Sequence, residues 1–221
     1  VTTLIDPREA NHPHFRMELQ ESAQTRAWET LARAAAMIEP GMNELDGKSI
    51  VDQAIMDSGA QRLWHASQVR FGSNTLLPFG EVPPAPHILQ PNDIFFLDIG
   101  PCYDGHEGDV GSGFTLGKVP AYQSLVEDSK AVFASVKAHW AETGANGTEL
   151  YDFALVEAAK RQRTLALEGA SGHRIGAFPH RVHHSGKLKA FGKTPSPAAW
   201  ILEIHVVDYS LKAGAFYEDM L

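Results

Sequence analysis

The chain has 221 residues, of which 43% are hydrophobic and 21% charged; this excludes a disordered or fibrous protein and suffices for a sizeable core. Lys and Arg number 19 against 27 Asp and Glu, so the formal charge of −8 argues against nucleic acid or an anionic membrane surface as the main partner. A single cysteine, Cys102, excludes an intramolecular disulfide and a multi-cysteine metal site, and 11 histidines leave His, Asp and Glu as the ligands for any metal.

Val1-Thr2-Thr3 does not open a basic-then-apolar signal segment, and no apolar run approaches the roughly 18 residues of a membrane span. Ala27, Leu31, Ala34, Ala35 and Ile38 keep a helical period that Pro40-Gly41 stops. A second helix is expected over 45–58, ending at Gly59. Residues 93–100 read as a buried strand, with 108–116 as its partner across a turn at Asp104-Gly105. Leu125, Ser129, Val132, Phe133, Val136 and Trp140 form the stripe of a third helix, closed by Gly144. A fourth is expected from Thr148 as N-cap to about residue 167, before Gly169. Residues 199–208 and 215–221 are the last clear strands. Two helices then strands, twice over, predict two similar α+β halves around one sheet, although the halves share no visible repeat.

Asp98 lies within Phe95-Phe96-Leu97-Asp98-Ile99, where a carboxylate is costly unless partnered. It reads as a turn-capping structural acid or a ligand, and Asp109 by itself as half of an ordinary Gly-Asp turn. His173 and His180 are seven residues apart, but Gly176 and Pro179 oppose a helix, so a loop or irregular strand would have to bring both rings to one cavity. Glu203 sits in the apolar run ending at His205, on the same strand face as that histidine, and Glu218 follows Phe216-Tyr217. Four carboxylates and at least one imidazole in mostly apolar context fit two hard or borderline divalent cations. His183 and His184 lack a His-Glu-x-x-His frame and read as cavity or surface residues, and Cys102 reads as a packed small side chain.

These residues resemble the pita-bread metallopeptidases: methionine aminopeptidase, aminopeptidase P, prolidase and the catalytic domain of creatinase. That family uses Asp, a second Asp eleven residues on, then His, Glu and Glu, as Asp98, Asp109, His173, Glu203 and Glu218 stand here. Gly172-His173-x-Ile-Gly176 is similar to its Gly-His-x-Ile-Gly, with His180 as the second histidine, and Phe216-Tyr-Glu218-Asp219 to its Ile-Glu-Asp. An aminopeptidase P-like catalytic domain is the nearest pattern. The resemblance implies an α+β pita-bread fold, two pseudo-symmetric halves around a curved, mostly antiparallel sheet. It implies one catalytic domain over residues 1–221, without the amino-terminal domain of prolidase or creatinase.

It further implies two divalent metal ions, with Mn²⁺ favoured by the oxygen-rich set and Fe²⁺, Co²⁺ or Zn²⁺ as alternatives. Asp98 would bind one ion, His173 and Glu203 the other, and Asp109 and Glu218 both. A metal-bridging hydroxide would cleave a short peptide or small amide, with His180 donating to the oxyanion and Glu203 shuttling the proton. The implied enzyme is a cytoplasmic Xaa-Pro aminopeptidase or dipeptidase, for which a homodimer is allowed. Three departures matter. The family's substrate-contacting histidine upstream of the first Asp is absent from Leu77-Pro78-Phe79-Gly80-Glu81, so Phe79, the flanking His65 and His87, and His184 become candidate substrate contacts. Its Thr-Arg-Thr after the second Asp is replaced by Gly111-Ser112-Gly113, and His205 stands where Gly is usual. A creatinase-like hydrolase or lyase acting on a small polar metabolite, or an inactive binding module, are the alternative readings.

Overall fold

A computed structural model describes residues 6–221, so Val1-Thr2-Thr3, expected to carry no signal segment, lie outside the described residues. The first helix, α1 (Met17–Ala35), starts well before its apolar stripe. Its early buried positions include Gln20 and Gln24 beside Ala23, and hydropathy does not register the two glutamines. Both are buried because they grip the chain beside it: the Gln20 side-chain amide donates to Glu107 O, and Gln24 donates to Asp109 O at 2.6 Å while accepting from Asp109 N at 3.0 Å. Helix α2 (Glu44–Asp57) begins with a capping box in which Asn43 accepts from Leu45 N and Asp46 N, and Asp46 accepts from Asn43 N.

Strands β1 (Arg62–Leu63), β2 (Gln68–Phe71) and β3 (Ile94–Ile99) follow, then a small hairpin of β4 (Pro101–Tyr103) and β5 (His106–Glu107), then β6 (Val110–Thr115). As expected, β3 pairs antiparallel with β6. The Asp104-Gly105 turn closes the intervening hairpin, both residues taking the positive φ (50° and 75°) that a tight hairpin requires. With β1 that hairpin forms a separate three-stranded sheet.

The second half has α3 (Pro120–Thr143), ended by Gly144 in the left-handed conformation, and α4 (Gly147–Lys160). Here the sequence expectation needs correcting at both ends. The cap is Asn146, which accepts from Thr148 N and Glu149 N while Glu149 closes back on Asn146 N; the Thr148 hydroxyl donates instead to Lys189 O. The helix stops at Lys160 because Gln162 turns to a positive φ of 59° and the chain leaves as β7 (Thr164–Leu165). Strands β8 (His173–Arg174), β9 (Trp200–Asp208) and β10 (Ala213–Met220) complete the fold. The Asn capping box that opens the second helix of each half is a local echo of the duplication.

The large sheet runs β2-β3-β6-β10-β9-β7, with all neighbours antiparallel and β8 adding to β9. Its midline between β6 and β10 separates the two halves. One core joins Ala27, Leu31 and Ile55 of the first helices to Leu97 and Ile99; the other joins Leu125, Val132 and Leu150 to Leu202, Ile204 and Val206. Each fully buried Leu, Ile or Val side chain contributes about 1.5–3 kcal/mol, which offsets the cost of burying charge elsewhere. Because strand side chains alternate, Asp98, Glu203 and Glu218 face away from the helices. Among the described residues no helix is long and apolar enough to cross a membrane.

Candidate metal centre

Strand register places the acids in a row. Asp98 lies opposite Gly111, Gly111 opposite Glu218, and Glu218 opposite Glu203, across β3, β6, β10 and β9. Directly opposed residues share a face, so three carboxylates converge with Gly111 as the gap among them. A Cβ at Gly111 would come within 2.8 Å of Glu218 Oε1 and 2.5 Å of the Phe216 ring. Asp109 precedes β6, is held on both backbone sides by Gln24, and lines the same cavity. His173 enters from β8. The preceding Gly172 has φ +67°, its Cβ would lie 2.6 Å from Ile201 O, and its N–H donates to Glu203 Oε2 at 2.5 Å. The Tyr151 hydroxyl also bonds the Glu203 carbonyl.

Within the cavity, Asp109 is the common member. Its Oδ2 lies 3.0 Å from His173 Nε2 and its Oδ1 3.2 Å from His65 Nε2, which is also 3.5 Å from Asp98 Oδ1. His65, Asp98 and Asp109 bring ligand atoms within 4.8 Å of one another, as do Asp109, His173 and Glu218. Glu203 belongs to neither tight group, although it lines the cavity. Burial pushes the Asp98 and Glu218 carboxyls up, aided by repulsion from Asp109. Burial opposes ionisation of Asp109 as well, but the His173 and His65 imidazoles outweigh it and draw that carboxyl down. His173 and His65 are raised in spite of burial, the former by Asp109 and the latter by Asp98 and Asp109. Asp98 Oδ1, Asp109 Oδ2 and Glu218 Oε1 are buried with no well-formed hydrogen bond among the described residues, Asp109 Oδ2 facing only the His173 imidazole. Unpartnered buried carboxylate oxygens are expensive, and a divalent cation is the partner such a set lacks. Oxygen donors with imidazole at the edge fit a hard or borderline ion.

His180 opens a short 3-10 turn beside the cavity, its ring nearly parallel to that of His173 and 5.9 Å from it. Both oxygens of Glu107 serve it: Oε1 accepts the His180 backbone N–H at 3.0 Å and Oε2 meets Nδ1 at 2.5 Å. Burial pushes the His180 pKa down while Glu107 opposes that shift. Glu107 went unflagged in the sequence because an acid between Gly105 and Gly108 looks like any hairpin turn. Trp64, Arg181 and Lys187 also line the cavity without a sequence signal of their own.

Of the four candidate substrate contacts, Phe79 lines the cavity and presents its ring to the edge of His65. His65 is inside it. His87 is outside the cavity lining, with Nε2 2.8 Å from Asp93, and His184 packs edge-on against Trp200, again outside the lining. A second, apolar recess shares Asp98 and Phe79 and is walled by Leu77, Phe96, Ala170 and Phe216. His205 closes it, on the face shared with Glu203 as alternation predicts; its Nε2 bonds Thr75 O and burial drops its pKa to about 4. Cys102 is buried, and burial pushes its thiol up to about 12, as suits a packed small residue.

The model of metallopeptidase family M24 matches residues 18–220. A methionine aminopeptidase of Helicobacter pylori is 28% identical over 172 residues, which are 72% of this chain and 65% of that protein. The prolidase of Pyrococcus furiosus superposes with a TM-score of 0.75 at 16% identity, covering 96% of this chain and 62% of that one. The X-Pro aminopeptidase of Thermotoga maritima gives 0.75 at 15% identity, over 92% of this chain and 57% of that one. At such identities the two structures show a shared fold, the pita-bread arrangement, and the chain spans about three-fifths of their length.

Proposed function

The chain belongs to metallopeptidase family M24, and on that premise we propose that it is a dinuclear, metal-dependent hydrolase that cleaves a short peptide at an Xaa-Pro bond. The observation that carries this reading is the convergence of Asp98, Asp109, His173, Glu203 and Glu218 on one buried cavity, with three carboxylate oxygens that form no proper hydrogen bond among the described residues. Asp98 would hold one cation, His173 and Glu203 the other, and Asp109 and Glu218 would serve both. When bound, two such cations, Mn²⁺ by preference for the oxygen-rich set, supply Lewis acidity and a water activated near neutral pH.

The protein's own groups do the remainder. His180 gives Nδ1–H to Glu107, so its Nε2 donates only when the ring is protonated, a form that burial disfavours and Glu107, as the counter-charge, supports. In that form His180 stabilises the carbonyl oxygen as it gains charge. Glu203, with Oε2 fixed by Gly172 N–H, carries a proton to the leaving amine. The apolar wall of Phe79, Phe96 and Phe216 would pack against a proline ring, and Arg181 and Lys187 suit a free carboxylate; together they favour an Xaa-Pro dipeptide. The same two cationic side chains also favour a second reading, a hydrolase acting on a small zwitterionic metabolite of the creatine type.

Mn²⁺-loaded protein is expected to release free proline from Xaa-Pro dipeptides, and Asp109→Asn to lower kcat/KM by on the order of 10³-fold. Metal-replete protein that leaves every Xaa-Pro and amino-terminal Met peptide intact would overturn the peptidase reading. Turnover of creatine or a similar zwitterion in the same panel would establish the second.

A further inference from the structure

His65 stands outside the Asp-Asp-His-Glu-Glu set and reaches the cavity from the turn between β1 and β2. We propose that it is a metal ligand, so that each cation of the centre carries one imidazole: His173 on one side of Asp109 and His65 on the other. This rests on the two-cation reading and adds a donor to it.

Three observations support the assignment. The first is distance. Donor atoms that share a cation at about 2.1 Å in near-octahedral or tetrahedral geometry lie ~3 Å apart. His65 Nε2 is 3.2 Å from Asp109 Oδ1 and 3.5 Å from Asp98 Oδ1, and His173 Nε2 is 3.0 Å from Asp109 Oδ2. Among the described residues nothing forms a hydrogen bond to Asp98 Oδ1, although the imidazole is aimed at it.

The second is the tautomer. His65 Nδ1 bonds the carbonyl of the next residue, Ala66, at 3.0 Å; His173 Nδ1 bonds the carbonyl of Arg174 at 2.8 Å. A carbonyl can only accept, so Nδ1 carries a proton in both rings and Nε2 is the nitrogen turned to the carboxylates, the one that would offer its lone pair to a cation bound there. A substrate contact would need a nitrogen free for substrate. Here Nδ1 is taken by backbone and Nε2 is turned to Asp109 and Asp98, 3.2 and 3.5 Å away, so the ring has none to offer.

The third is that the position is built. Any side chain at Gly100 would collide with the His65 ring and come within 2.6 Å of Trp64 Nε1. Trp64 is fixed in turn by its N–H to Gly100 O and its indole N–H to Gly108 O, and it packs edge-on against His65 at 4.3 Å. The His65 side chain is only 8% exposed. A solvent-facing histidine needs no such seat.

Cobalt tests this directly. Full-length protein is titrated with Co²⁺ alone and examined by equilibrium dialysis with elemental analysis and by X-ray absorption at the cobalt edge. Wild type is expected to take up two ions and to show two imidazoles per pair. His65→Ala and the milder His65→Gln should weaken one of the two ions at least about tenfold and, with both sites filled, halve the number of imidazoles per cobalt. Wild type with one imidazole per pair, or variants that bind both ions as wild type does, would overturn the assignment. The wild-type spectrum decides the matter even if both variants fold poorly. Wild type that binds fewer than two cobalt ions would instead overturn the two-cation reading on which the assignment rests.

Discussion

Glu107 commits one oxygen to the backbone N–H of His180 and the other to its ring, and it is among the most deeply buried acids of the chain. Gln offers a single acceptor oxygen to those two donors, so as long as the ring keeps its proton on Nδ1, Glu107→Gln leaves one of them unsatisfied in the interior. The expected cost is about 1–3 kcal/mol in urea unfolding, with Glu107→Ala, which frees both, costing more. Loss of the counter-charge also keeps His180 neutral, and kcat on an Xaa-Pro dipeptide is expected to fall by about tenfold or more. A Glu107→Gln enzyme with full kcat would show that His180 does not act as a protonated donor. At this scale the sequence was legible where a residue violates its surroundings: Asp98 and Glu203 stand inside apolar strands, and their order and spacing point to a shared site. Glu107 violates nothing locally, because its purpose is set by His180, far along the chain. His65 is legible as a histidine near the site but not as to which of its nitrogens is free.

Among the elements, the stretch after α4 departs most from expectation, since Leu165 and Leu167 prolong the apolar pattern and nothing like Gly marks the positive φ of Gln162. What the pattern hides is a clamp. Arg163 Nε donates to Asp128 of α3 at 2.9 Å, and Nη1 donates to Asp208 at the end of β9 at 2.6 Å. Arg163 therefore ties helix, strand and turn together where the chain reverses into β7. Arg163→Met is expected to cost about 1–2 kcal/mol, since these bonds are charge-assisted but partly solvated, and to lower Tm by a few degrees. Acid should erase the difference. Bonds from the Ser210 hydroxyl and the Leu211 backbone, with the Arg163 charge, hold the Asp208 carboxyl below its ordinary 3.8. A depressed carboxyl contributes fully above its unfolded value and loses that contribution as pH falls through the folded one. The gap between wild type and Arg163→Met in thermal melts should thus be full near pH 6 and shrink below about pH 4. A gap independent of pH would mean that packing of the arginine stem, and not the ion pairs, holds the turn.

For the whole molecule, element order reveals two halves but not where they meet. That junction is the pairing of β6 with β10, strands far apart in the chain whose register no local pattern carries. The register is what builds the centre: Asp98 and Gly111 come from one half, Glu218 and Glu203 from the other. Without a cation, the junction holds buried carboxyls that repel one another; with one, the two halves share ligands. Metal should therefore stabilise the molecule as a unit. At a free Mn²⁺ concentration one hundred times Kd, a single site contributes about 2.7 kcal/mol, which for a chain of this length raises Tm by roughly 5–10 °C over chelator-treated protein. Differential scanning calorimetry is expected to show one transition that moves as a whole, because neither half holds a complete ligand set. A profile in which one part melts at the same temperature with and without Mn²⁺ would show that the ligands of a single half suffice, and that the row across β6 and β10 does not join the two.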